Sequence, residues 1–284
     1  MKIRAAISPC PNDVFIFAGL IAGATSAQGG SEGGLEGGLQ FDFAFHELET
    51  LNLGAQEGRW DLAKISYANH AYCAEEYRLL RCGGALGRGC GPLLLSNRDA
   101  WDPEGQVLVP GRHTTANFLL DFFGRRSGPP RAEPLPAAFR KVFLPFDELY
   151  KRLLEPAPCQ GVVIHEMRFS YASDGLRLVR DLGEFWETST GYPIPLGGVA
   201  LRNRLEADRP GISAAVEAAI RASLAWSYAH PETALALCRL HSQSMSDPVL
   251  QSHIDLYVNA FTRDIGTEGE AAVEHFLTQQ RVTL

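Results

Sequence analysis

The sequence predicts an α/β fold with two lobes, each a mostly parallel sheet flanked by helices, and a cleft between them. Short apolar segments alternate with helical patterns over the first two thirds of the chain, and such alternation is typical of parallel sheets. Two apolar segments, 92–96 and 193–201, each run into polar residues and are suited to cross between lobes. The last third is almost entirely helical in pattern.

The two crossing segments set the predicted domain division. If both are hinge strands, residues 97–195 form a smaller inserted lobe, and residues 1–96 and 196–284 together build a larger, discontinuous lobe. Ligands of such folds bind in the crevice where the carboxyl ends of strands and the N-termini of helices meet. We therefore expect the active site in the cleft between the lobes.

The first strand, 3–8, ends in Ser-Pro-Cys-Pro-Asn-Asp and leads into a helix at 14–22, with Asn12 or Asp13 as its N-cap. Residues 29–38 contain six glycines and two glutamates, which indicates a flexible surface loop. The remaining strands are predicted from apolar or alternating runs, at 41–45, 61–66, 79–81, 92–96, 107–109, 141–144, 161–164, 176–181 and 193–201. The remaining helices are predicted at 49–57, 68–76, 113–123, 146–154 and 212–229, with three more that begin near Pro231, Pro248 and Thr267.

Composition and charge exclude several function classes. The 284 residues include 26 Lys and Arg against 33 Asp and Glu, for a net charge of −7, and 45% of them are hydrophobic. These are the values of an ordinary globular chain. The acidic balance argues against nucleic acid as a partner and against a polybasic membrane contact. No uncharged apolar run approaches the roughly 20 residues of a membrane-spanning helix.

The N-terminus resembles a secretory signal in part, because Lys2 and Arg4 precede a mostly apolar stretch at 14–24. Pro9, Pro11 and Asp13 stand where the helical core of such a signal begins. We therefore expect an uncleaved, cytoplasmic protein.

Six cysteines occur without a Cys-x-x-Cys pair, at 10, 73, 82, 90, 159 and 238. His70 and Cys73 come nearest to a metal cluster, but their spacing to Cys82 and Cys90 is irregular for structural zinc. We expect buried, reduced thiols and no metal.

Six segments, taken in chain order, carry a family resemblance. They are Ser8-Pro9-Cys10-Pro11-Asn12-Asp13 with Phe15-Ile16-Phe17, then Lys64-Ile65-Ser66-Tyr67, Gly83-Gly84-Ala85-Leu86-Gly87-Arg88-Gly89, Pro110-Gly111-Arg112-His113-Thr114-Thr115-Ala116, Ile164-His165-Glu166 with Arg168-Phe169, and Tyr257-Val258-Asn259-Ala260-Phe261. Together they resemble the 1,4-dihydroxy-6-naphthoate synthase family, which acts in the futalosine route to menaquinone. The matches extend from residue 6 to about 275, and the glycine-rich stretch at 29–38 is the departure from the family pattern.

This resemblance implies a fold similar to type 2 periplasmic binding proteins. It also implies a reaction, the splitting of cyclic de-hypoxanthine futalosine into 1,4-dihydroxy-6-naphthoate and a small sugar-derived fragment. It implies no redox cofactor and no metal. The small-molecule substrate is the only partner that the resemblance indicates, and the sequence does not indicate an oligomeric state.

The chemistry requires a base, because cleaving a carbon–carbon bond and forming an aromatic ring removes a proton. A neutral imidazole is suited to this near pH 7. His165 follows the apolar run 161–164, so it should emerge at a strand C-terminus, and the resemblance places the catalytic base there. Glu166 either orients His165 or faces solvent.

By resemblance, Ile65, Ser66 and Tyr67 line the substrate site. Read from position alone, Ser66 is equally suited to cap a helix and Tyr67 to pack in the core. Lys64 either attracts the substrate carboxylate or is a solvated charge, and the second interpretation is favoured slightly.

Thr114 and Thr115 stand at a predicted helix start, where free N–H groups and the positive helix end form a natural carboxylate site. The alternative is plain capping, worth about 1 kcal/mol. Asn12 and Asp13 either contact the substrate, Asp13 through a sugar hydroxyl, or cap their own helix. Cys10 is expected to be a small buried side chain rather than a nucleophile.

Two alternatives to the naphthoate enzyme remain. A chorismate dehydratase of the same pathway also acts on a ring carboxylate, but the segments at 8–13 and 164–166 favour the naphthoate enzyme. A non-catalytic solute-binding protein would have the same fold, because fold alone does not determine function. A cleaved leader would indicate this binding protein.

Overall fold

The structure is a computed structural model that describes residues 1–25, 38–99, 102, 104–127, 139–241 and 246–281. The loop predicted at 29–38 lies outside the described residues except for Gly38. Within the described ranges, no helix combines the length and the apolar character that a membrane span needs.

Eleven strands lie in the described ranges, and they alternate with helices. The strands are β1 (Lys2–Ile7), β2 (Gln40–Phe45), β3 (Leu62–Ser66), β4 (Tyr77–Leu79), β5 (Ala85–Gly87), β6 (Leu93–Ser96), β7 (Gln106–Val109), β8 (Arg140–Phe143), β9 (Gln160–Val163), β10 (Arg177–Asp181) and β11 (Ile194–Arg202). The helices are α1 (Pro11–Ile21), α2 (Leu48–Gln56), α3 (Thr115–Ser127), α4 (Phe146–Leu153), α5 (Met167–Ser170), α6 (Leu182–Thr190), α7 (Asn203–Asp208), α8 (Ile212–Ala229), α9 (Pro231–His241), α10 (Asp247–Tyr257), α11 (Ala260–Arg263) and α12 (Gly266–Arg281), with a 3-10 helix at Tyr67–Tyr72.

The strands form two sheets, one in each lobe. The first has the order β2-β1-β3-β11-β4, with β5 also paired to β11, and the second has the order β10-β6-β9-β7-β8. Pairing is parallel between β1 and its neighbours β2 and β3, and between β7 and its neighbours β8 and β9. The α/β class and the two-lobed arrangement predicted from sequence are confirmed.

Both sheets are mixed rather than mostly parallel. In the first, β11 pairs antiparallel with β3, β4 and β5, and in the second β6 pairs antiparallel with β9 and β10. Parallel neighbours need a long crossover connection within one sheet. The chain enters β6 and β11 from the other sheet. Neither strand therefore needs a crossover connection within its own sheet, and both can pair antiparallel with their neighbours.

The chain passes to the second sheet between β5 and β6 and returns before β11. β6 lies wholly in the second sheet, so the first crossing falls at residues 88–92, whereas most of the predicted crossing segment 92–96 is a strand of the second sheet. Gly91 in this crossing lies against Gly183 so closely that a Cβ atom on Gly91 would be 2.3 Å from the Gly183 Cα. The division of the chain into two domains, 97–195 and the combination of 1–96 with 196–284, stays a prediction.

Helix α1 is buried from Pro11 through Leu20, because it packs against the first sheet and contacts α8, α9 and α10. A helix that is apolar all round is typical of such a position. It begins at Pro11, with Cys10 at the N-cap position and no side-chain cap. The predicted N-cap role of Asn12 and Asp13 is therefore wrong, and both side chains lie in the first turn with their polar groups free for tertiary contacts.

Several other elements differ from the prediction. The helix expected at 68–76 is a short 3-10 helix, and the strand β5 and the helix α6 lie where the sequence predicted neither a strand nor a helix. The C-terminal helix α12 joins the lobes, since Phe276 packs on Phe118 of α3 with ring centroids 4.5 Å apart.

Candidate active site

A cleft that is partly open to solvent lies between the two sheets. It combines an apolar lining with a few polar groups, as small-molecule sites usually do. Its lining residues are Ser8, Cys10, Asn12, Asp13, Leu48, Lys64, Ala85, Cys90, Pro92, Thr114, Thr115, Ala116, Ile164, His165, Leu196, Gly197, His253 and Tyr257.

His165 follows β9 by two residues and lines the cleft, as the sequence predicts. Its φ of 60° is the only positive value among the described non-glycine residues. Histidine enters this left-handed region more readily than most side chains, but a residue held there stores strain and commonly marks a functional site. The ring of Phe146 packs edge-on against the imidazole, with centroids 5.1 Å apart.

Cys10 contacts His165 from the opposite lobe. Its Sγ lies 3.4 Å from Nδ1 and 3.9 Å from Nε2 of the imidazole. Burial, and secondly the charge of Asp13, raise the pKa of the Cys10 thiol well above its usual value. The group is therefore a neutral thiol at physiological pH, which fits the prediction that it is no nucleophile.

An ion pair lies at the cleft wall. Lys64 Nζ is 2.7 Å from Asp13 Oδ1 and donates a second hydrogen bond to the carbonyl of Gly83. The other carboxylate oxygen of Asp13 accepts a hydrogen bond from the Ser8 hydroxyl at 2.7 Å. The side chains of both ions are at most 4% exposed, so the favoured interpretation of Lys64 as a solvated charge is wrong.

Asn12 joins this ion pair to a histidine. Its amide Nδ2 donates to Asp13 Oδ1 at 2.8 Å, and its Oδ1 lies 3.0 Å from Nε2 of His253 on α10. Asn12 and Asp13 thus both line the cleft, held in a chain of hydrogen bonds, and their contact with substrate stays a prediction. Burial, and secondly the charge of His165, lower the pKa of His253 to about 3.

Thr114 and Thr115 stand at the start of α3, as predicted. Thr114 Oγ1 accepts from the amide of Asn117 and donates to the carbonyl of Gly111, and Thr115 Oγ1 donates to the carbonyl of Leu196 in the other lobe. Both hydroxyls are therefore used within the protein. Within the described part of the chain, the amides of Thr115 and Ala116 have no hydrogen-bond acceptor, and these N–H groups remain available to an anion.

Ile65, Ser66 and Tyr67 do not line the cleft. All three are at most 1% exposed: Ile65 and Ser66 belong to β3, which lies inside its sheet and is covered on both faces, and Tyr67 begins the 3-10 helix that follows. The Ser66 hydroxyl accepts a hydrogen bond from Asn52, and Tyr67 packs in the core that joins the lobes. Their role in substrate binding stays a prediction that the geometry does not support.

Arg168 supports the turn that carries His165. Its guanidinium pairs with Asp181 at 2.6 Å and donates to the carbonyl of Gly91 at the crossing between lobes. Within the described ranges, Glu166 makes no hydrogen bond with His165.

Sequence reasoning missed several cleft residues, above all His253. His253 and Tyr257 stand four residues apart on α10, so the helical period places them on one face. That pattern does not tell which lobe or which cavity the face meets.

Comparisons with known proteins agree on one family. A family model described as menaquinone biosynthesis matches residues 3–281. A 1,4-dihydroxy-6-naphthoate synthase of Thermus thermophilus is 41% identical, and the match covers 98% of this chain and 93% of that protein. A second enzyme of that name, from Streptomyces coelicolor, is 37% identical over 98% of this chain and 92% of its own length.

Solved structures show the same fold. A crystal structure of an Archaeoglobus fulgidus protein superposes with a TM-score of 0.85 at 26% identity, covering 99% of this chain and 97% of the other. The alkanesulfonate-binding protein of Xanthomonas axonopodis pv. citri superposes with a TM-score of 0.67 at 11% identity, covering 98% and 93% of the two chains. The likeness to periplasmic binding proteins predicted from sequence is confirmed at the level of fold.

Proposed function

Because this chain belongs to the menaquinone biosynthesis family, we propose that its cleft converts cyclic de-hypoxanthine futalosine to 1,4-dihydroxy-6-naphthoate, with His165 as general base. The chain is an enzyme of menaquinone biosynthesis, a lyase of the 1,4-dihydroxy-6-naphthoate synthase type. The single observation that carries the role of His165 is its strained backbone, which presents the imidazole to a cleft that both lobes line.

The base acts by removing the proton that is lost as the ring becomes aromatic. The bond between the ring and the sugar-derived fragment breaks, and that fragment leaves as the second product. A correctly placed imidazole typically accelerates such a step by about 10²–10⁴-fold. Cys10 and Phe146 both contact the His165 ring and hold its orientation.

The cleft offers complementary surfaces for a bicyclic carboxylate. Apolar side chains of Leu48, Ala85 and Leu196 supply a lining for the ring system. The free amides of Thr115 and Ala116 at the N-terminus of the 13-residue helix α3 supply the carboxylate site. The backbone, rather than the threonine hydroxyls, makes this contact.

A turnover assay tests the proposal. The purified protein is incubated with cyclic de-hypoxanthine futalosine, and the naphthoate product is followed by chromatography and mass spectrometry. We expect product from the wild-type protein. A folded protein that forms none overturns the proposal, and chorismate is then the next substrate to test.

A further inference from the structure

We propose that His253 binds substrate, with its Nδ1 accepting a hydrogen bond from a ligand hydroxyl. The inference rests on the proposed function and adds a specificity-determining residue to the same cleft. His253 comes from α10, four residues before the family-resemblance segment that begins at Tyr257, and it lines the cleft together with His165.

The tautomer of His253 follows from its neighbours. Asp13 is paired with the Lys64 ammonium and is an ionised carboxylate, which only accepts hydrogen bonds. Asn12 must therefore present its NH₂ group to Asp13 and its carbonyl oxygen to His253. A carbonyl oxygen accepts, so the proton of the His253 ring lies on Nε2.

Nδ1 of His253 is then a bare acceptor. The side chain is 1% exposed, and Nδ1 is buried with no hydrogen-bond partner among the described residues. A buried acceptor without a partner is costly, and in native proteins such an atom calls for an explanation. Burial lowers the pKa of His253 to about 3, so the ring stays neutral and Nδ1 stays unprotonated at physiological pH.

A ligand hydroxyl that donates a hydrogen bond to Nδ1 of His253 would give this atom its missing partner. Both halves of the proposed substrate supply such donors, the ring that becomes the dihydroxynaphthoate and the sugar-derived fragment. A site built to hydrogen-bond a hydroxyl discriminates strongly against an analogue that lacks it. His253 therefore selects hydroxylated ligands over bare aromatic carboxylates.

The test compares His253→Gln with wild type for three ligands. The amide of Gln reaches the position of Nε2 and keeps the contact with Asn12, but it leaves no acceptor where Nδ1 was. The ligands are 1,4-dihydroxy-6-naphthoate under anaerobic conditions, 2-naphthoate, which lacks both hydroxyls, and the substrate measured in a His165→Asn background that blocks turnover. His275→Gln is the control, because Nε2 of His275 is also buried without a partner but lies outside the cleft.

We expect His253→Gln to weaken a hydroxylated ligand by about 3- to 10-fold and to leave 2-naphthoate unchanged. A loss for both the product and the substrate assigns the contact to a ring hydroxyl, and a loss for the substrate alone assigns it to the fragment. Equal losses for all three ligands, or none, overturn the proposal. Turnover of the proposed substrate by the wild-type protein tests the proposed function separately. A failure of the His253 proposal is therefore distinguishable from a failure of the proposed function.

Nitrogen-15 NMR of wild-type protein provides a second measurement that needs no variant. We expect a protonated Nε2 and an unprotonated Nδ1 for His253, and a shift of the Nδ1 signal when 1,4-dihydroxy-6-naphthoate binds. The opposite tautomer overturns the proposal.

Discussion

The Sγ atom of Cys10 lies 3.4 Å from Nδ1 of His165, and this contact joins the two lobes at the centre of the cleft. Cys10 stands between β1 and α1 of the first lobe, and His165 follows β9 of the second. The environment of the proposed base is therefore complete only in this arrangement of the lobes.

Position 165 requires a side chain that acts as a base and a backbone that adopts a positive φ. Two substitutions separate these requirements. Asn tolerates a positive φ better than Ala does, but neither supplies a base. We expect both His165→Asn and His165→Ala to lose about 10²–10⁴-fold in turnover, with His165→Asn the more stable of the two by thermal denaturation. Near-normal turnover in a folded His165→Asn protein would remove this residue from the mechanism.

Cys10 supports His165 without reacting itself. Since burial raises the pKa of its thiol, the reactive thiolate forms only at pH values above the usual range of a cysteine. We expect iodoacetamide to alkylate Cys10 slowly between pH 7 and 9. Peptide mass spectrometry measures the extent of this alkylation. Cys10→Ala should lose roughly tenfold or less in turnover, as for the loss of one neutral hydrogen bond. A loss as large as that of His165→Asn contradicts a supporting role.

The fold and part of this site follow from local sequence. The alternation of strands and helices predicts the α/β class, and an apolar run before His165 predicts its place at the end of β9. The Pro-Gly turn before Thr114 and Thr115 likewise predicts the start of α3. Each of these depends on residues a few positions apart.

The remainder of the site depends on packing between distant segments. Lys64 is a lone charge in an apolar strand, and its burial is explained by Asp13 in the first turn of α1 together with the carbonyl of Gly83. His253 meets Asn12 across 241 positions of chain. Ile65 is buried because β3 is covered on both faces, and a single strand's pattern does not tell which strand lies inside the sheet.

Lys64 and Asp13 provide a stability prediction. Removing one partner of a buried ion pair leaves an uncompensated charge, which typically costs about 3–5 kcal/mol. We expect Lys64→Met to lower the free energy of unfolding by about that amount in urea denaturation. The double variant Asp13→Asn with Lys64→Met should recover part of the loss, because no buried charge remains. A double variant less stable than Lys64→Met contradicts this account.

His253 makes stability depend on pH. Its pKa is about 3 in the folded state, whereas an unfolded histidine titrates near 6.5. Between these values the unfolded chain binds a proton that the folded chain does not, so stability falls as pH decreases. The expected loss is about 1.4 kcal/mol for each pH unit below 6.5. His253→Gln should be free of this contribution, and parallel curves of unfolding free energy against pH for wild type and variant would disprove it.

Glu49 on α2 contacts the second lobe beside the proposed carboxylate site. Its carboxylate accepts from the amides of Arg112 and His113 and lies 2.8 Å from Nδ1 of His113. These residues directly precede Thr114 and α3, so the contact fixes the free amides of that helix while it holds the lobes together.

Glu49→Ala should increase hydrogen exchange of the Arg112 and His113 amides and raise KM by about tenfold, on the scale of a charge-assisted hydrogen bond. Glu57→Ala is the matched control, because Glu57 pairs with Arg59 within the same lobe. Unchanged exchange and an unchanged KM in Glu49→Ala would show that the lobes and the helix start are held by other contacts.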